Sequence, residues 1–129
     1  MRPPPISLGA INIEAEDPAA LPAFWEAVTG ATAQVGGDSF YLPPVGPEGF
    51  GMFFQPATTV RPERQLMHLD LTVPWGSRAS EVVRLLGLGA TYRWDVLDEF
   101  PHVQWTTLAD PKGNLFCLAE HPPVAPREI

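Results

Sequence analysis

The chain has a single cysteine, Cys117, in 129 residues. One thiol closes no internal disulfide, so packing rather than covalent stapling must hold the fold. Basic residues are also scarce: eight Lys and Arg stand against fifteen Asp and Glu, for a net charge of −7 and an isoelectric point near 4.7. That deficit excludes phosphate backbones and anionic membrane surfaces, which call for clustered cations, and leaves cationic small ligands open. No apolar run is long enough to cross a membrane or act as a secretory signal. A soluble, cytoplasmic protein without nucleic-acid or membrane partners is therefore expected.

Proline, by contrast, is plentiful. There are sixteen, several gathered at the ends in "RPPP" (2–5) and "HPPVAPREI" (121–129), which read as extended tails. With 45% hydrophobic and 18% charged residues, residues 1–129 suit one compact domain.

The chain repeats itself. In "AINIEAEDP", Ile11, Ile13 and Ala15 alternate with Ala10, Asn12 and Glu14; in "HLDLTVP", Leu69, Leu71 and Val73 alternate with His68, Asp70 and Thr72 at a constant offset of 58. Both stretches read as strands with one apolar and one polar face. Asp17-Pro18 is a helix start and Gly30 a stop, with Leu21, Phe24, Trp25 and Val28 at helical spacing between them. In the second copy Ser77 is the expected cap, and Ala79, Val82, Val83 and Leu86 form the matching stripe before Gly89. Each helix is followed by three short strand-like runs. These are 31–35, 39–42 and 51–55 in the first copy, and 91–96, 103–108 and 115–119 in the second. The "GAT" that follows each helix, at Gly30 and Gly89, is offset by 59, and late in the repeat the offset grows to 64, because five extra residues enter around "DVLDEFPH".

Two βαβββ modules follow, at about 8–57 and 66–120, joined by a linker at about 58–65 that contains "RPERQ". One module alone cannot bury both faces of its sheet, so the two are expected to share a concavity. Helices would cover Ile11, Ile13, Leu69 and Leu71; Asn12, Glu14, His68, Asp70 and Thr72 would line the cleft. "PPVGPEGFG" (43–51) reads as a plain connection or a flap over it.

This tandem pattern, with "FW…G" after the first strand, "HLDL" opening the second module and "DPKGN" before the last strand, resembles the vicinal oxygen chelate superfamily. More narrowly, it is similar to glyoxalase-like and bleomycin-resistance-like proteins from about Leu8 to Glu120. The resemblance implies an α+β fold: two tandem βαβββ modules forming a curved mixed sheet around a central cleft, helices outside, in a homodimer. It does not imply one chemistry, since such folds carry lyases, dioxygenases and non-catalytic binders.

In metal-using relatives the ligands stand on the first and last strand of each module, positions that here carry Ala10, Phe53, His68 and Cys117, with Gln55 a possible substitute. Only His68 matches. A lone imidazole and a thiol are a poor set for hard divalent ions, and a catalytic zinc site generally takes three protein ligands. No cofactor is therefore expected. If a divalent metal does bind, His68, Gln55 and Cys117 would hold it, or a nearby carboxylate such as Glu120.

His68 is the best single candidate for a catalytic or wall residue, and Asp70, two positions on, would orient it or meet a cationic group. Cys117 reads as a small buried hydrophobe; Lys112, the closest lysine in sequence, is the only local help toward a thiolate. Asn12, Phe53, Gln55 and Trp105 complete the expected ligand-binding set, although sequence leaves the directions of Trp105 and Gln55 open. Phe24 and Trp25 are core. The leading expectation is a cleft that binds a small organic molecule, aromatic or cationic, without the usual family metal. The alternatives are a metal-dependent lyase or dioxygenase with non-standard ligands, and a non-catalytic partner-binding module.

Overall fold

The computed structural model describes residues 4–5, 8–61 and 63–123. Parts of both proline-rich ends, residues 2–3 and 124–129, and residue 62 of the expected linker lie outside the described residues. The chain divides into two compact units, Met1–Pro62 and Glu63–Ile129.

The first unit contains β1 (Ala10–Ala15), α1 (Leu21–Thr29), β2 (Gln34–Gly36), β3 (Ser39–Leu42) and β4 (Gly51–Pro56). Its sheet has the order β1-β4-β3-β2, with β1 parallel to β4 and the other pairs antiparallel. The second unit repeats the plan with β5 (Leu69–Thr72), α2 (Arg78–Leu88), β6 (Thr91–Phe100), β7 (Val103–Ala109) and β8 (Leu115–Glu120). Its order is β5-β8-β7-β6, with β5 parallel to β8. The fold is thus α+β, two βαβββ modules each with a four-stranded mixed sheet.

Register places the repeat on the same rungs. Asn12 pairs with Phe53 as Asp70 pairs with Cys117, which are the two offsets of 58 and 64. In the first unit Leu21, Phe24 and Trp25 of α1 are buried, as are Leu42, Met52 and Phe54 of the sheet. Withdrawing each such large side chain from water stabilises by about 1.5–3 kcal/mol. The helices end at Gly30 and Gly89, both with positive φ (82° and 115°), where a Cβ would be strained.

Four local expectations are corrected. Pro18 keeps Asp17 out of the helical region; Asp17 takes φ 48° and caps nothing, and a 3₁₀ turn (Pro18–Ala20) precedes α1. Ser77 makes no side-chain cap either; Glu120 Oε2 instead accepts the Arg78 backbone N–H at 2.8 Å. The first hairpin strand starts at Gln34 rather than 31, because the Ala33 N–H donates to Glu26 Oε2 (2.6 Å) and not to a neighbouring strand. In α2 the sheet-facing stripe runs through Arg78, Val82 and Leu85, anchored by Arg78, so Val83 is 70% exposed and Leu86 turns outward.

The five extra residues also fall differently from expectation. β6 does not stop at Val96 but runs on to Phe100, and its register against β7 jumps between Val96 and Phe100. Asp98 in the jump has φ 58°.

Candidate functional site

Strand parity sorts the second sheet into two faces. Thr106 and Glu120 bond Arg78 of α2, so Gln104, Thr106 and Leu108 of β7 and Phe116, Leu118 and Glu120 of β8 face the helix. The opposite face carries rungs that run Asp70, Cys117, Thr107, Trp94 and then Thr72, Ala119, Trp105, Val96, with Cys117, Thr107 and Ala119 buried. Trp105 therefore lies on the face of Cys117, which sequence had left undecided.

On this face His68, just before β5, places Nε2 3.0 Å from Asp70 Oδ1. Both side chains are exposed, while Cys117 beside them is buried. The candidate ligand atoms of His68, Asp70 and Cys117 all lie within 4.8 Å of one another. Cys117 Sγ and Thr107 Oγ1 are 3.3 Å apart, either able to donate. Burial pushes the Cys117 thiol above its usual 9.0; the hydrogen bond with Thr107 works against that, and the Asp70 carboxylate adds to the rise. A neutral thiol is a weak nucleophile, so Cys117 stands as the floor of the site rather than an attacking group.

The first sheet presents a related surface. Asn12, Phe53, Tyr41 and Gln34 form its equivalent rung, Gln55 Nε2 donates to Asn12 Oδ1 (3.0 Å), and Tyr41 leans on Phe53 with ring centres 5.8 Å apart. Gln55 is thus engaged with Asn12 and does not stand alone at a strand end.

Glu120, weighed as a carboxylate for His68, belongs to the other face. It accepts from the Arg78 backbone and from Gln104 Nε2 (2.6 Å), and its side chain is 5% exposed. Arg78 also donates to Thr106 Oγ1 (2.6 Å), and Thr106 donates to Asp95 Oδ1 (2.6 Å). This buried polar network was not foreseen, nor was Thr107 as partner of Cys117. Neither carries a local sequence signal, because the partners lie on different elements.

The chain's residues 10–119 match the glyoxalase-like domain family. It belongs to that family. A glyoxalase/bleomycin resistance protein/dioxygenase family enzyme from Burkholderia phytofirmans PsJN superimposes with a TM-score of 0.76 at 18% identity, covering 91% of this chain and all of that one. A glyoxalase-related enzyme from Fulvimarina pelagi gives 0.69 at 19%, covering 92% of each. A fosfomycin resistance protein from Listeria monocytogenes, solved with Mn(II) and 1S,2S-dihydroxypropylphosphonic acid, gives 0.70 at 15%, covering 92% of this chain and 90% of that one. No curated protein matches. At these identities the likeness is one of fold, and the chemistry must come from this chain's own residues.

A metal of the kind seen in that last relative can be tested against the donors present. Mn(II) is hard and takes carboxylate, carbonyl and water oxygens. One imidazole, one carboxylate and one protonated thiol do not fit it. A zinc-class ion accepts nitrogen, oxygen and sulfur from three protein ligands, and the trio matches in type and number.

Proposed function

We propose that this glyoxalase-like protein binds a small organic molecule on the face of the second sheet turned away from α2, without the usual metal site of its metal-using relatives. The observation that supports this is the composition of the Asp70–Cys117 rung: a paired His68–Asp70 stands beside a buried neutral thiol, at one of the positions where the resemblance places a metal ligand. His68 and Asp70 offer a donor and an acceptor in fixed geometry, and Trp105 offers an aromatic surface for a flat ligand. Asn12, Phe53 and Gln55 are proposed as the first sheet's ligand-contacting residues.

A thermal-shift screen of natural products, followed by calorimetry, tests the reading. A true ligand stabilises saturably, and His68→Ala and Asp70→Asn each weaken it about tenfold, the loss of one charge-assisted hydrogen bond. Protein purified without chelators should carry Mn, Ni or Fe well below one equivalent. A full equivalent that is lost in His68→Ala would overturn the proposal.

The three donors within 4.8 Å favour one second reading, a zinc-class ion on His68, Asp70 and Cys117. Addition of Co(II) would then give a thiolate-to-metal absorption band that Cys117→Ser abolishes. Turnover of a hemithioacetal or catechol that stops with chelator and returns with zinc would make it a lyase or dioxygenase site. No band and no metal response would discard this reading.

A further inference from the structure

The five residues that break the repeat lie outside the His68, Asp70 and Cys117 cluster, yet they build a feature of the second unit that the first does not share. Because β6 carries Leu97, Asp98 and Glu99 opposite the single residue Gln104, the strand bulges and its end is re-aimed. The result is an open hollow of about 490 Å³ at the tip of the β6–β7 hairpin, lined by Trp75, Asp98, Glu99, Phe100, Val103 and Gln104 together with two prolines. That volume lies in the range of small-molecule sites.

Its walls have a definite chemistry. Trp75 is 47% exposed and Phe100 is 52% exposed, neither needed in the core. Phe100 is held rather than loose: it stacks on Trp105 with ring centres 5.7 Å apart and 17° between planes. Asp98 and Glu99 add two exposed carboxylates, and no Lys, Arg or His is among the lining residues. The guanidinium of Arg78, close by on the helix side, faces Asp95 and Glu120. His102 and His121 flank the hollow's prolines and are joined by a contact from His121 Nδ1 to the His102 carbonyl (3.2 Å). Aromatic faces beside carboxylates select an organic cation over a neutral molecule of the same shape, through the ring quadrupole and charge together.

We infer that this hollow binds a small organic ammonium ion, its alkylated nitrogen held between Trp75 and Phe100 and its charge countered by Asp98 and Glu99. The hollow shares no residue with the His68 trio and meets the proposed ligand surface only where Phe100 stacks on Trp105, so shifts at Trp75 and 98–104 and shifts at Asp70 and Cys117 tell the two apart.

The test is an NMR titration with choline and with 3,3-dimethylbutan-1-ol, its neutral isostere, at pH 8, where an ordinary imidazole is neutral. Choline should shift the Trp75 indole N–H and the backbone amides of 98–104 saturably, and the isostere should bind at least about fivefold more weakly, as expected for a partly desolvated cation–aromatic contact. Trp75→Ala and the pair Asp98→Asn with Glu99→Gln should each weaken choline about five- to tenfold. Asn is tolerated at positive φ, so the paired variant keeps the bulge. Phe100→Tyr, which keeps a ring, should retain binding. Equal affinity for choline and isostere, shifts confined to Asp70, Cys117 and Thr107, no shifts at all, or an unchanged affinity in the paired variant would overturn the inference.

Discussion

At the scale of single residues the decisive side chain is Cys117, because its protonation separates a floor residue from a nucleophile. Burial and Asp70 hold its proton more tightly in the folded chain than in the unfolded one. The consequence for stability has a definite sign. A raised folded pKa contributes stability below the ordinary thiol value of 9.0 that is lost as pH climbs past it. Urea midpoints compared at about pH 8 and about pH 10 should therefore fall, and Cys117→Ser should remove the part of the fall due to this thiol. Iodoacetamide should modify the native thiol slowly near neutrality, with a rate that is still climbing with pH past 9.0, where that of an ordinary thiol levels off. Rapid labelling at pH 7 would mark a thiolate instead. The address of Cys117 was legible from the "DPKGN" turn, and that of His68 from the repeat. Its company was not: Thr107 joins it across a strand pair, and Asp70 counts as a third donor only once β5 is laid beside β8.

Secondary-structure elements were legible where the signal is local and obscure where it is long-range. The "DPKGN" turn is the local case. Asp110, 2% exposed, accepts from the Lys112 and Asn114 backbone amides and from the Asn114 side chain, so residues no more than four apart specify the bend. Asp110→Ala would strand these donors and should lower unfolding free energy by about 2–4 kcal/mol, read from urea melts. Helix α2 is the opposite case. Its rotation follows from Arg78 reaching Glu120, Thr106 and Asp95 on three strands, none within 15 residues in sequence, so a stripe drawn from α1 put Val83 and Leu86 inward wrongly. Here a double-mutant cycle is the informative measurement. Arg78→Met and Glu120→Leu should each cost about 2–4 kcal/mol by removing one partner from a buried charge that keeps others, Gln104 for Glu120 and Asp95 for Arg78, and the double variant should cost less than their sum. Strict additivity would mean the pair is not coupled and that other contacts set the helix's rotation.

For the whole molecule, the repeat and the charge were both open to reading. The duplicated rungs Asn12–Phe53 and Asp70–Cys117 show how far the copies still agree, and the bulge of β6 shows where they part. An insertion is visible in a sequence as a change of offset, but whether it makes a loop or lengthens a strand depends on how its neighbours pair, which no offset encodes. The charge of −7 acts on everything that approaches. Its influence is long-range and screened, whereas the carboxylates of Asp98 and Glu99 act at contact, and salt separates the two. The screening length falls from about 20–30 Å near 0.02 M salt to less than about 10 Å at 0.2 M. Choline should therefore bind more weakly by about two- to threefold across that range, while the neutral isostere is unaffected and the difference between wild type and Asp98→Asn/Glu99→Gln persists at high salt. If salt erased that difference, the cation would be held by the general negative field of the chain and not by the two carboxylates beside the aromatic rings.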